Sequence, residues 1–149
     1  MQTDKKQRIF MRKPLIFLAL SASIFSVCAT AQEHQVSFKT LVKTTKSWDG
    51  SELPAYPTGT PEITILDINI PAGTTLPLHI HPVINAGVVL KGQLKVTKPN
   101  GDVLMLNAGD PIVELVDKVH TGKALGEEDV RIIVFYAGQK DKAITIKKE

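Results

Sequence analysis

Residues 73–92 read GTTLPLHIHPVINAGVVLKG. His79 and His81 stand two apart, flanked by Leu78, Ile80 and Pro82, with Gly73 six residues before the pair and Gly92 eleven after it. On a strand, residues two apart point to one face, with Cα atoms about 6.6 Å apart. Two imidazoles so placed can converge on one ion at about 2.0–2.1 Å each. Taken alone, the pair reads equally as two unrelated histidines on a polar face. Downstream, Gly109 lies eleven residues before a third histidine, His120. His34, near the start of the folded part, reads as a solvated tail residue.

Working outward, the chain breaks into short apolar runs separated by turn signals. Residues 35–43 alternate, with Val36, Phe38 and Val42 on one face, and read as a strand. Residues 44–61 hold Trp48, Asp49-Gly50, Pro54, Tyr56, Pro57, Gly59 and Pro61, the composition of an irregular loop. Residues 62–70 form a strand with Leu66, Ile68 and Ile70 on one side and Asp67 and Asn69 on the other. Further strands are expected over 86–90, 94–97, 103–106, 112–116 and 131–136, with an edge pairing over 143–146. Asn100-Gly101 accepts the positive φ angles of a tight hairpin. Glu127-Glu128-Asp129 reads as a solvated turn. No stretch carries a sustained helical period. The spacing predicts an all-β antiparallel sandwich or barrel in a single domain.

The 149 residues suit one domain, and nine Pro, ten Gly and 22% charged residues exclude a coiled coil. The formal charge of +3 is an N-terminal property. Residues 1–31 hold Lys5, Lys6, Arg8, Arg12 and Lys13 against Asp4, which leaves 13 basic and 14 acidic residues in 32–149. A domain so balanced does not read as a nucleic-acid binder. Basic residues lead into Pro14-Leu15-Ile16-Phe17-Leu18-Ala19-Leu20 and close on Ala29-Thr30-Ala31, the layout of a secretory signal peptide. Met11 begins a tidier signal, Met11-Arg12-Lys13-Pro14, which makes residues 1–10 an over-called start as an alternative to Met1. Cleavage after Ala31 predicts an exported protein, periplasmic or secreted, beginning at Gln32 and without a thiol, since the single cysteine is Cys28. Lipid attachment at Cys28 and an uncleaved membrane anchor are the alternatives, the apolar run being short for a transmembrane helix. The expected layout is a signal peptide over 1–31, an N-terminal strand and loop over 32–61, a barrel core over 62–138 and a C-terminal strand or tail over 139–149.

The glycine and histidine spacing resembles the two motifs of the cupin superfamily. The first, Gly-x5-His-x-His-x3,4-Glu-x6-Gly, is met by Gly73, His79, His81, Asn85 and Gly92. The second, Gly-x5-Pro-x4-His-x3-Asn, is met by Gly109, Leu115, His120 and Ala124. Every spacing matches, while Asn85, Leu115 and Ala124 depart from the usual residues. The resemblance implies a single-domain jelly-roll β-barrel. It also implies one divalent metal ion (iron, zinc, manganese, nickel or copper) inside the barrel, held by His79, His81 and His120, a donor set that suits such ions. Homodimerisation is the family habit.

With Asn85 in place of the usual Glu, the ion would keep its full charge, bind less tightly and act as a stronger Lewis acid. Asn85 could offer its side-chain oxygen, bond a water on the ion, or simply be a turn residue. Glu114, alone in the apolar run 112–116, reads by strand alternation as turned to solvent. Turned inward, it would restore the missing carboxylate, serve as a general base, or hold a ligand residue. Trp48 and Tyr56 read as packing onto the sheet or an interface, with capping of the barrel mouth as the alternative.

Three functions fit: a metal-dependent enzyme on a small organic molecule, cleaving it with oxygen or isomerising it; a non-catalytic module binding a small ligand or metal; and a barrel with a vestigial pocket. No Ser/His/Asp elbow, phosphate loop or DNA-binding element is present. After signal cleavage no membrane association is expected.

Overall fold

In the computed structural model, residues 35–148 are described; His34, Cys28 and the whole signal-peptide segment lie outside them. Residues 38–149 make up one unit. Alternation drives its construction. In β1 (Pro61–Ile70), Leu66, Ile68 and Ile70 turn inward while Asp67 and Asn69 stay exposed. In β8 (Val130–Gln139), Val130, Ile132, Val134 and Tyr136 are all buried. These two strands pair antiparallel along their whole length, from Pro61 opposite Gln139 to Ile70 opposite Val130. β3 (Ile84–Lys91) lies on the other side of β8, and β6 (Pro111–Val113) closes the sheet in the order β1-β8-β3-β6.

The opposing layer is a three-stranded sheet, β5-β4-β7, of β4 (Gln93–Thr97), β5 (Val103–Asn107) and β7 (Thr121–Leu125). Two short strands, β2 (His79–Ile80) and β9 (Ile146–Lys147), pair with each other. A backbone bridge from His79 to His120 joins them to the start of β7. The two layers face each other across Leu94, Val96, Leu106 and Ala124 on one side and Ile70, Val89, Ile132 and Val134 on the other. Each fully buried aliphatic side chain contributes about 1.5–3 kcal/mol.

Gly73 and Gly92, which bound the stretch quoted first, both have φ of +74°. That conformation suits glycine. At Gly92 a Cβ would also meet the Asp129 carbonyl oxygen at 2.6 Å, so the tight passage from β3 to β4 excludes a side chain.

Most expected strands are present, within a few residues of the expected bounds. The hairpin at 98–102 closes with Lys98 N donating to Asp102 O at 2.9 Å. The edge pairing expected over 143–146 falls on β9. Residues 35–43 are the exception. They carry no strand, because among the described residues no partner ladder runs beside them, and Phe38 is 94% exposed. An alternating pattern supplies a face, but only a neighbouring strand satisfies its backbone. β7 was not expected, since Gly122 and Lys123 interrupt its apolar pattern; pairing with β4 forms it instead. Among the described residues no helix is long and apolar enough to cross a membrane.

Candidate metal centre

His79 lies in β2, His81 one residue beyond it, and His120 immediately before β7. The backbone bridge between His79 and His120 sets those two rings side by side, with centroids 4.4 Å apart. His81, on the same strand face as His79, brings its ring to 4.9 Å from His79 and 5.1 Å from His120. The three donor atoms lie within 4.8 Å of one another.

Each ring is fixed through Nδ1. The His79 Nδ1 meets Pro77 O at 2.8 Å, and the His120 Nδ1 meets Lys118 O at 2.9 Å. The His81 Nδ1 meets Ile144 O at 2.9 Å, with the Thr145 hydroxyl at 3.1 Å. A carbonyl only accepts, so each Nδ1 carries the proton and each Nε2 keeps its lone pair for the centre. This is the arrangement metal-ligating histidines use. Burial favours neutral rings as well: it lowers the pKa of His79 and His120 and pushes His81 down to about 4. The Nε2 of His120 is buried with no hydrogen-bond partner. An orphaned lone pair beside two others, all neutral imidazole, fits one divalent metal ion.

The centre sits at the polar end of a cavity of about 220 Å³ between the layers. Its walls include Leu66, Ile68, Leu94, Val96, Ile132 and Val134. Tyr136, Thr145 and Lys147 join the histidines at the polar end. The Tyr136 ring lies 5.6 Å from His81, and burial raises the pKa of its hydroxyl. These three residues were not foreseen. Tyr136 was findable, being in period with Val130, Ile132 and Val134.

Two expectations are corrected. Glu114 does not face solvent. It is 8% exposed, lines the cavity, and brings Oε2 to 3.5 Å from the Nε2 of His120. Period two places it with buried Ile112, and burial pushes its pKa up to about 7. Asn85 is not a turn residue. It is buried inside β3, its Nδ2 donating to Val83 O at 3.2 Å while Oδ1 has no partner.

Leu115 and Ala124, the other departures from the motifs, are wholly buried. Trp48 packs against the core rather than capping the cavity, and Tyr56 is 75% exposed.

Residues 66–136 match the family model described as the cupin domain. No curated protein gives a significant match. Several solved structures share the fold. One is an uncharacterized conserved protein with a double-stranded beta-helix domain from Klebsiella pneumoniae, 20% identical over 72% of this chain and 99% of that one, with a TM-score of 0.51. Another is the polyketide cyclase RemF from Streptomyces resistomycificus, 14% identical over 62% of this chain and 65% of that one, with a TM-score of 0.50. A third is a structure of the DMSP lyases RdDddP and RnDddQII, 14% identical over 58% of this chain, with a TM-score of 0.50. The chain spans 44% of that lyase's length. Residues 66–136 thus match the cupin domain, and the described residues take the cupin jelly-roll fold.

Proposed function

We propose that this protein is an exported cupin that holds one divalent metal through His79, His81 and His120 and transforms a small organic molecule by oxygen-dependent cleavage or isomerisation. The observation that carries the reading is the convergence of three Nδ1-anchored imidazoles at the polar end of an otherwise apolar cavity. A bound divalent ion supplies Lewis-acid or redox chemistry there. The chain does the rest. The aliphatic walls from both sheets exclude water and hold an apolar body. Tyr136, keeping its proton, and Lys147 offer hydrogen-bond donors to a polar group directed at the histidines. At about 220 Å³ the cavity is smaller than the roughly 300–1,000 Å³ of drug-sized sites, so the substrate is small.

Metal analysis of the purified protein, followed by oxygen-uptake and turnover assays on small molecules with one polar end, tests the reading. A protein that takes up no divalent metal at neutral pH overturns it. The absence of a carboxylate at Asn85 favours a second reading, a non-catalytic binding module of the cell envelope; tight ligand binding without turnover in the metal-loaded protein would select it.

Export after cleavage at Ala31 belongs to the same proposal. Mass spectrometry of the exported protein should find Gln32 at the N-terminus, and lipid on Cys28 would replace that outcome. Pairing of two copies is supported by Ile63, Ile65 and Phe135, exposed together on the adjacent strands β1 and β8. A monomeric mass at micromolar concentration removes it.

A further inference from the structure

We propose that Glu114 is the fourth metal ligand, supplying from the neighbouring strand the carboxylate that the usual motif carries at position 85; this rests on the three-histidine reading above. The register of β3 and β6 sets Ala86 opposite Val113 and Gly87 opposite Ile112. One step further along the same ladder, Glu114 N donates to Asn85 O at 3.0 Å. Asn85 and Glu114 are therefore directly opposed. Opposed residues share a sheet face, with Cβ atoms about 4.5–5.5 Å apart. A carboxylate lost at 85 and present at 114 thus enters the interior from nearly the same spot.

The atoms facing the centre carry the argument further. Oε2 of Glu114 and Nε2 of His120 are both buried, both without a hydrogen-bond partner, and 3.5 Å apart. With its proton on Nδ1, His120 offers only a lone pair, so an ionised Glu114 faces an acceptor with no donor between them. A cation satisfies both. Two ligands each about 2.0–2.2 Å from a tetrahedral ion lie about 3.3–3.5 Å apart. Asn85 is less suited: its Oδ1 is buried without a partner, but it does not line the cavity as Glu114 does. Three neutral imidazoles and one carboxylate then leave a net single positive charge on a divalent ion, as the usual cupin set does.

The test uses the metal-stripped protein titrated with Co(II) against a competing chelator, read by affinity and by the visible d–d spectrum. Glu114→Gln should bind Co(II) at least about 10-fold more weakly than the parent, with an altered spectrum. Glu114→Asp, which keeps the charge and shortens the reach, should also weaken binding while native circular dichroism shows the fold intact. The exchange variant, Asn85→Glu with Glu114→Asn, should return affinity to within a few-fold of the parent. Parent-like affinity and spectrum in Glu114→Gln or Glu114→Asp overturn the assignment and leave the three-histidine site standing. An exchange variant as weak as Glu114→Gln overturns the shared position of the two carboxylates. A parent that binds no Co(II) removes the three-histidine reading itself.

Discussion

His79 and His120 exchange both of their backbone hydrogen bonds, each 3.0 Å long. Two rings of the centre are thus aligned by the ladder between β2 and the start of β7, independently of anything the side chains bind.

This separation of scaffold from ligand gives the first prediction. Replacing His79, His81 or His120 singly by Ala should leave the far-UV circular dichroism native, because the bonds that fix the backbone remain. Metal content after dialysis should fall by at least about 10-fold, the lower end of what even indirect partners of a metal contribute. Elemental analysis checks it, and parent-like metal content in all three variants would contradict the site.

The second prediction concerns acid. A free histidine titrates near about 6.5. Burial lowers all three rings, His81 to about 4. Protons compete with metal only below the ligand's own pKa in the metal-free fold. In the Glu114→Gln variant, where only the rings can take up protons, metal affinity should therefore hold as pH falls from 7 to about 6.5 and drop only below that. Affinity measured across that range checks the sign; a steep loss already between pH 7.5 and 6.5 in that variant would show that the rings titrate as exposed histidines do.

Much of this centre was legible because its parts are local. His79 and His81 need only strand geometry to share a face, and the glycines at 73 and 92 announce the turns that bound β2 and β3. What could not be read depends on distant pairing. The anchor of His81 is the carbonyl of Ile144, 63 residues away, and no local pattern points to it. Glu114 was misassigned because a lone charge in an apolar run reads as solvated. Its inward turn follows from buried Ile112 two residues earlier, and its meaning follows from the β3–β6 register. The supposed strand over 35–43 failed for the converse reason: its alternation is real, and its partner is not among the described residues.

A third prediction separates stability from the site. The side chain of Asp49 is only 5% exposed and receives bonds from Lys98 Nζ at 3.0 Å, Lys118 Nζ at 2.9 Å and the Ser51 backbone N–H at 3.0 Å. Burial alone would raise its pKa, but these partners outweigh it and hold the carboxyl well below the usual range. A depressed carboxylate contributes stability above its ordinary pKa of about 3.9 and loses it as pH falls through the folded value. Asp49→Ala should cost about 1–3 kcal/mol at pH 7, with a smaller difference from the parent at low pH. Thermal melts at pH 7 and pH 3 check this. Metal affinity should not change, because Asp49 lies outside the cavity.

The fourth prediction turns on the cost of keeping Glu114 where it is. In the metal-free protein burial pushes its pKa up to about 7, against an ordinary value of 4.5. A carboxyl whose folded pKa is raised is tolerated while protonated, below pH 4.5. It destabilises the fold progressively as pH rises through 7, because the unfolded chain ionises it more readily. Glu114→Gln keeps the shape and removes the charge. Without metal, the variant should therefore be more stable than the parent at pH 8, on the order of 2–3 kcal/mol, and nearly equal to it at pH 4.5. Saturating divalent metal should reverse the order at pH 8, since the parent gains more from a ligand it binds more tightly. Denaturant melts of both proteins, with chelator and with metal, measure the crossing. A Glu114→Gln variant less stable than the parent at pH 8 in chelator would mean that the buried carboxylate is already compensated by the protein alone, and the demand for a cation beside it would disappear.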